Sequence, residues 1–256
     1  MEDLSALEQL LKSGEFLHHL EMDNKTSDLV FDRRTLKALY EIISRYNVDY
    51  IDYPISSGKE SVVFKAYISK KPVVVKIFKM STLKFSNIWR YIDGDYRFAD
   101  ERLSRSSVLY VWARKEYTNL KECQLKRIDA PRPIAVNRNI LIMSYLGTST
   151  RAAPMIRNIE TDFKKLYLQT VDVIKRLYIE AHLVHADLSE YNILYYRNKP
   201  YIIDMGQSVT WKHPSADFFL ERDLKNVFNF FRKKGVNCKY EPLLEELTGF
   251  PKTGKD

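Results

Sequence analysis

Four residues separate Asp187 from Asn192 in Val184-His185-Ala186-Asp187-Leu188-Ser189-Glu190-Tyr191-Asn192, and Asp204 follows in Ile202-Ile203-Asp204-Met205-Gly206. A carboxylate can orient an attacking hydroxyl or water and accept its proton, while an amide oxygen and a second carboxylate can ligate a hard magnesium ion beside phosphate. The chemistry these types suit together is phosphoryl transfer. Two short apolar runs, Ile193 to Tyr196 and Tyr201 to Ile203, joined by Arg197-Asn198-Lys199-Pro200, read as a hairpin. Asn192 and Asp204 then stand at its two open ends, where facing residues lie about 5 Å apart. Without that coupling, Asp204 reads only as a turn residue closing a strand ahead of Gly206.

Upstream, Ser56-Ser57-Gly58-Lys59-Glu60-Ser61-Val62-Val63 follows the frame of a kinase glycine-rich loop, with serine at its first and third glycine positions. Only Gly58 remains, so by itself the segment is equally an ordinary strand turn. Lys76 interrupts the apolar run Val73-Val74-Val75-Lys76-Ile77-Phe78 and needs either a partner or a route to water. It is an edge lysine reaching solvent, or the third-strand lysine that holds nucleotide phosphates. Glu116 is the better carboxylate to pair with it and Glu122 the weaker. Ile140-Leu141-Ile142-Met143 running into Ser144-Tyr145-Leu146-Gly147 reads as a strand entering a connector, where backbone groups of Ser144 and Leu146 would meet an adenine edge.

The elements that must position these groups show in the periodicities. Residues 1–50 read as a helical extension, with amphipathic stretches from Leu4 to Leu20 and from about Arg33 to Tyr46 around a polar Asp23-Asn24-Lys25-Thr26-Ser27 segment. It either docks a partner or packs on the neighbouring lobe. Residues 51–143 carry strand patterns, with Val62-Val63-Phe64 and Val73–Phe78 separated by a polar turn and Pro72. A polar stretch at 80–107, containing Asp93-Gly94-Asp95 and Arg102-Leu103-Ser104-Arg105-Ser106-Ser107, interrupts them, reads as a long functional or mobile loop, and precedes a helix from Val108 to Cys123. Residues 144–256 are mostly helical: one long amphipathic helix spans Phe163 to Ala181, and a last strong one, about Ser215 to Lys233, has a capping candidate at its start and bases before Gly235.

The 256 residues, 45% of them apolar, suffice for one large domain or two small lobes with a real core. Two distant cysteines, Cys123 and Cys238, argue against a disulfide framework or a thiolate zinc site and for a reducing, cytoplasmic setting. No secretory pattern opens the chain and no apolar run reaches the roughly 18 residues of a membrane span, so no membrane partner is expected. The net charge of +8 leans weakly toward polyanions such as RNA, its basic residues being dispersed.

Taken together, Ser57-Gly58-Lys59-Glu60, Ile77-Phe78-Lys79, Leu183 through Asn192 and Ile202-Ile203-Asp204-Met205-Gly206-Gln207-Ser208-Val209 resemble the RIO family of atypical serine protein kinases, particularly its first subfamily. The resemblance covers nearly the whole chain. It implies an α+β, bilobal, reduced protein-kinase-like fold, with an antiparallel-sheet N-lobe at 51–143 and a short, mainly helical C-lobe at 144–256. It implies Asp187 as catalytic base, Asn192 and Asp204 as metal ligands, Lys76 as phosphate ligand, and Glu116 as its partner. ATP and Mg2+, with Mn2+ as a substitute, are the implied cofactors, and Asp204 is the implied phosphoryl acceptor if the enzyme works as an ATPase. The small ribosomal subunit precursor with its RNA, and the chain itself as a substrate, are the implied partners. Ser104, Ser106 and Ser107 are the candidate autophosphorylation sites. The 50 residues after Gly206 look too few for an activation segment and a peptide-docking groove, which favours self-phosphorylation or an ATP-driven switch. Two rivals stay open on the residues alone: a small-molecule phosphotransferase of the aminoglycoside or choline kinase type, and an ATP-binding scaffold on pre-ribosomal RNA.

Overall fold

The computed structural model describes residues 33–79, 85–100, 104 and 107–252. The amphipathic stretch from Leu4 to Leu20, the polar segment at 23–27, and Ser106 lie outside the described residues. The chain separates into two compact units, one made of residues 1–85, 102–117 and 133–145, the other of residues 86–101, 118–132 and 146–256.

Among the described residues, the first unit is a five-stranded antiparallel sheet with the helix at Arg33–Tyr46 and the first half of the helix at Val108–Leu125. Strands β1 (Val48–Ser57), β2 (Ser61–Ile68), β3 (Lys71–Phe78), β4 (Pro133–Asn137) and β5 (Ile140–Ser144) lie in the order β1-β2-β3-β5-β4. Its central strand β3 is buried continuously from Val73 to Phe78, as its unbroken apolar run requires. The turn before it is Ser69-Lys70, both at positive φ, and Pro72, expected between the strands beside the turn, sits inside β3 opposite Tyr67. Helix α1 (Arg33–Tyr46) places Ala38, Leu39 and Ile42 on one face, the 3.6-residue period of an amphipathic helix, and buries them against Val62, Phe64, Val75 and Ile142. Asn139 then ties helix to sheet, its Nδ2 donating to Thr35 Oγ1 at 3.0 Å and to Phe78 O at 2.9 Å. Of the two readings left open for this helix, packing on the sheet is the one seen.

Residues 80–107, expected to be a loop, contain helix α2 (Phe85–Ile92) and a 3-10 turn at Tyr96–Phe98. The helix is only eight residues long, too short for its period to stand out against polar flanks, and what holds it is tertiary: Tyr91 stacks on Phe219 at 5.3 Å. Helix α3 (Val108–Leu125) follows, its start capped by Ser104 and Ser107, whose side chains and backbone N–H groups bond reciprocally at 2.9 and 3.1 Å.

In the second unit, helix α4 (Phe163–Ile179) packs Leu166, Thr170, Val173, Ile174 and Leu177 inward, with Asp162 capping the N–H groups of Lys164 and Lys165. Tyr167 meets Phe228 and Phe231 edge-on at 5.4 and 5.5 Å. Those phenylalanines belong to helix α5 (Ala216–Lys233), which is followed by helix α6 (Glu241–Thr248). Ser215 precedes α5 but makes no side-chain cap; its N–H is taken by His213 Nδ1, so the capping expected there is not formed. Gly235, at φ +83, ends α5 in the left-handed conformation glycine tolerates. Among the described residues no helix is long and apolar enough to cross a membrane.

Candidate active site

In the second unit the chemistry-bearing residues sit on two loops whose ends are tied by short ladders. Strand β6 (Leu183–Val184) leads into residues 185–192, then β7 (Ile193–Tyr196), β8 (Lys199–Ile202), residues 203–208 and β9 (Val209–Thr210). β7 pairs with β8 and β9 returns to pair with β6, so both loops start and finish on neighbouring strands. The β7–β8 turn is the two-residue Arg197-Asn198, both at positive φ, as a tight hairpin with native twist demands; Lys199 and Pro200 lie in β8, not in the turn expected from sequence. At the open end, Ile203 N donates to Asn192 O at 3.0 Å, so Asn192 faces Ile203 and Asp204 follows one residue beyond it.

Asn192 Nδ2 donates to Asp187 O at 2.8 Å and to Asp187 Oδ2 at 3.2 Å. With the nitrogen so used, the amide oxygen is the atom left to ligate a cation. Burial pushes the Asp187 carboxyl above its ordinary range and the Asp204 charge pushes the same way, while Arg222 and the Asn192 bond oppose them. Asp204 is exposed and left-handed, at φ 64 and ψ 56, immediately ahead of the 3-10 turn Met205–Gln207. A non-glycine residue held there is sparsely populated backbone, maintained by surrounding bonds. Asn119 supplies them, Nδ2 donating to Met205 O at 2.7 Å and Ser208 O at 3.0 Å, while Ser208 Oγ donates to His185 O at 3.1 Å.

The loop at residues 185–192 is held from α5. Asp223 Oδ2 accepts from Ala186 N at 2.7 Å and Oδ1 from Leu188 N at 2.9 Å, so one carboxylate grips the backbone on both sides of Asp187. Arg222 donates to Ala186 O. Asp223 is 2% exposed, and burial pushes its carboxyl up to about 7 against the lowering effect of the two N–H bonds. Neither Asp223 nor Asn119 was singled out from sequence. The signal existed for Asp223: it is an acid between Leu220 and Leu224 on the apolar face of α5.

In the first unit, Lys76 Nζ lies 2.9 and 2.7 Å from the two oxygens of Glu116, both residues buried, which decides for Glu116 over Glu122 and for a partner over a route to water. Ser56 and Ser57 end β1, and Gly58, Lys59 and Glu60 form the exposed turn to β2, closed by Gly58 N donating to Ser61 O at 2.9 Å. Lys79, not assigned a role from sequence, donates from Nζ to Gly58 O at 3.0 Å. Ser144 is the last residue of β5, opposite Val73. Leu146 lies in the second unit, its carbonyl accepting from Ala153 N at 2.9 Å.

A family profile described as the RIO domain matches residues 62–243. Over 186 residues the chain is 48% identical to the RIO-type serine/threonine-protein kinase Rio1 of Thermoplasma acidophilum, covering 73% of this chain and 98% of that one. To the Rio1 kinase of Methanocaldococcus jannaschii it is 38% identical over 244 residues, covering 94% and 82%. Among solved structures, the Rio2 kinase of Chaetomium thermophilum in an ADP/Mg2+-phosphoaspartate complex matches with a TM-score of 0.63 at 26% identity, over 84% of this chain and 67% of that one. The antiparallel-sheet and helical units are those of a reduced kinase-like α+β fold.

Proposed function

The chain belongs to the RIO family of serine/threonine-protein kinases, and from that premise we propose that it transfers the γ-phosphate of ATP to serine hydroxyls through Asp187, Asn192, Asp204 and Lys76. The observation that carries this reading is the Asn192 amide bonded to Asp187 at the mouth of the hairpin, where Asn192 faces Ile203 and Asp204 follows one residue beyond. Asp187 orients the attacking hydroxyl and takes its proton. The Asn192 amide oxygen and the Asp204 carboxylate are hard donors that suit Mg2+, or Mn2+ in its place. A bound divalent cation supplies charge neutralisation on the transferred phosphoryl group. Lys76, oriented by Glu116, holds the α- and β-phosphates, the Ser56–Lys59 turn covers them, and the Ser144 and Leu146 backbone meets adenine.

An ATPase activity through Asp204 is part of the proposal. An Asp204 oxygen attacks the γ-phosphorus, the bond to ADP breaks, and water later cleaves the acyl phosphate to inorganic phosphate and carboxylate. The phosphoaspartate in the Rio2 complex supports this reading. Self-phosphorylation at Ser104, Ser106 or Ser107, a precursor of the small ribosomal subunit with its RNA as partner, and a cytoplasmic setting complete the proposal; the +8 charge suits such a partner. Incubation with ATP and Mg2+ followed by peptide mass spectrometry tests the core of it. Phosphate should appear within 104–107 and form about 10²–10⁴ times more slowly in Asp187→Asn. An unchanged rate in that variant would refute the assigned base.

A further inference from the structure

We propose that Lys79 is a second phosphate-binding lysine, adding a buried positive charge beneath the turn between β1 and β2. The inference rests on the reading of that turn as the nucleotide phosphate cradle. Lys76 does not supply the charge by itself, because Glu116 meets it with both carboxylate oxygens and the pair is neutral. Lys79 differs. It is 8% exposed, yet its ammonium donates only to neutral oxygens, Gly58 O at 3.0 Å and Ser57 Oγ at 3.5 Å, and no described carboxylate forms an ion pair with it.

A lysine removed from water without a counter-charge is a costly arrangement, normally relieved by pairing. The groups around this one locate where the pairing comes from. Lys79 N donates to Glu60 O at 2.9 Å while Nζ reaches Gly58 O, so one residue holds the turn at two points. Ser56 through Glu60 are exposed, and Ser56 and Ser57 carry hydroxyls on short side chains there. Exposed serine hydroxyls backed by an ammonium with no described ion-pair partner match an anion of the phosphate class. Lys79 therefore contacts the phosphate chain itself and favours nucleoside triphosphate over nucleoside.

Three variants of the full chain separate charge from shape. Lys79→Met removes both, Lys79→Gln keeps a donor for Gly58 O without charge, and Lys79→Arg keeps the charge. Dissociation constants for ATP and adenosine by calorimetry, with Mg2+ present, should show Lys79→Met and Lys79→Gln weakened for ATP by about ten- to a hundredfold, the range of a hydrogen bond to a charged group. Adenosine binding should change by less than about threefold, and Lys79→Arg should recover most of the ATP affinity. Unfolding of the nucleotide-free protein adds a second readout: relieved of a buried charge, Lys79→Gln should be at least as stable as the wild type. Equal losses for ATP and adenosine, ATP affinity fully restored by Lys79→Gln, or a less stable Lys79→Gln would each reduce Lys79 to a brace for the turn and overturn the proposal. Wild-type protein that binds no ATP would instead sink the nucleotide reading, and this inference with it.

Discussion

Replacing Asp223 by asparagine separates the charge of that side chain from its shape. Burial raises its carboxyl from 3.8 to about 7 in the folded chain. A carboxyl with a raised folded value keeps its proton longer when folded than when unfolded. The stability it contributes is therefore complete below the unfolded value, is lost as pH rises toward about 7, and is level beyond. At about 1.4 kcal/mol per unit, the interval from roughly pH 5 to roughly pH 8 removes about 3 kcal/mol from the wild type. Asparagine does not titrate, and because its NH2 replaces one of the two accepting oxygens it adds a cost that is the same at every pH. Urea unfolding followed by circular dichroism at several pH values should then show the difference between Asp223→Asn and the wild type move in the variant's favour by about 3 kcal/mol from near pH 5 to near pH 8. Taking the difference between the two proteins cancels the titration of distant groups. Phosphoryl transfer should fall even as the difference moves in the variant's favour, because the carboxylate that grips the Ala186 and Leu188 N–H groups also fixes Asp187. A stability difference that stays constant across that pH range would refute the reasoning, since Asp223 would then hold one protonation state throughout.

Glu116→Gln removes the carboxylate partner of the buried Lys76 and should destabilise the protein by about 3–5 kcal/mol, read from urea midpoints; an unchanged midpoint would mean the pair adds nothing to folding. Gly94 sits at φ +87 with a Cβ position 2.7 Å from Pro214 Cδ, so Gly94→Ala should cost about 1–3 kcal/mol by the same assay. Gly235→Asn is its control: Gly235 has φ +83 but open space, and the variant should stay within about 1 kcal/mol of the wild type. Asn119→Leu leaves the Met205 and Ser208 carbonyls without their amide donor and should raise the Mg2+ needed for half-maximal turnover by about tenfold; a loss of stability with an unchanged Mg2+ requirement would make Asn119 a packing residue only.

Legibility in the sequence tracked the range of each interaction. The Asp187–Asn192 spacing, the β7–β8 hairpin, the apolar run of β3 around Lys76 and the amphipathic faces of α1, α4 and α5 are written within windows of a few residues. Periodicity and hydrogen-bond geometry act over that distance, so composition and spacing were enough to single out Asp187, Asn192 and Asp204, which the structure places on the two loops tied by the β6–β9 and β7–β8 ladders. Boundaries failed where a local signal was ambiguous: Pro72 was placed between the strands and lies in β3, and Arg197-Asn198 alone makes the turn drawn across four residues. Helix α2 was missed because eight residues hold too little period, and its stability comes from Tyr91 against Phe219, 128 positions along the chain (219 minus 91).

Tertiary structure alone decided what holds the chemistry in place. Which buried acid takes the Ala186 and Leu188 N–H groups, which amide takes the Met205 and Ser208 carbonyls, and that Lys79 rather than another base reaches Gly58 depend on backbone groups brought close from 21 to 89 positions away. A buried polar side chain goes wherever an unsatisfied donor or acceptor waits, and a linear sequence does not say which distant one that is.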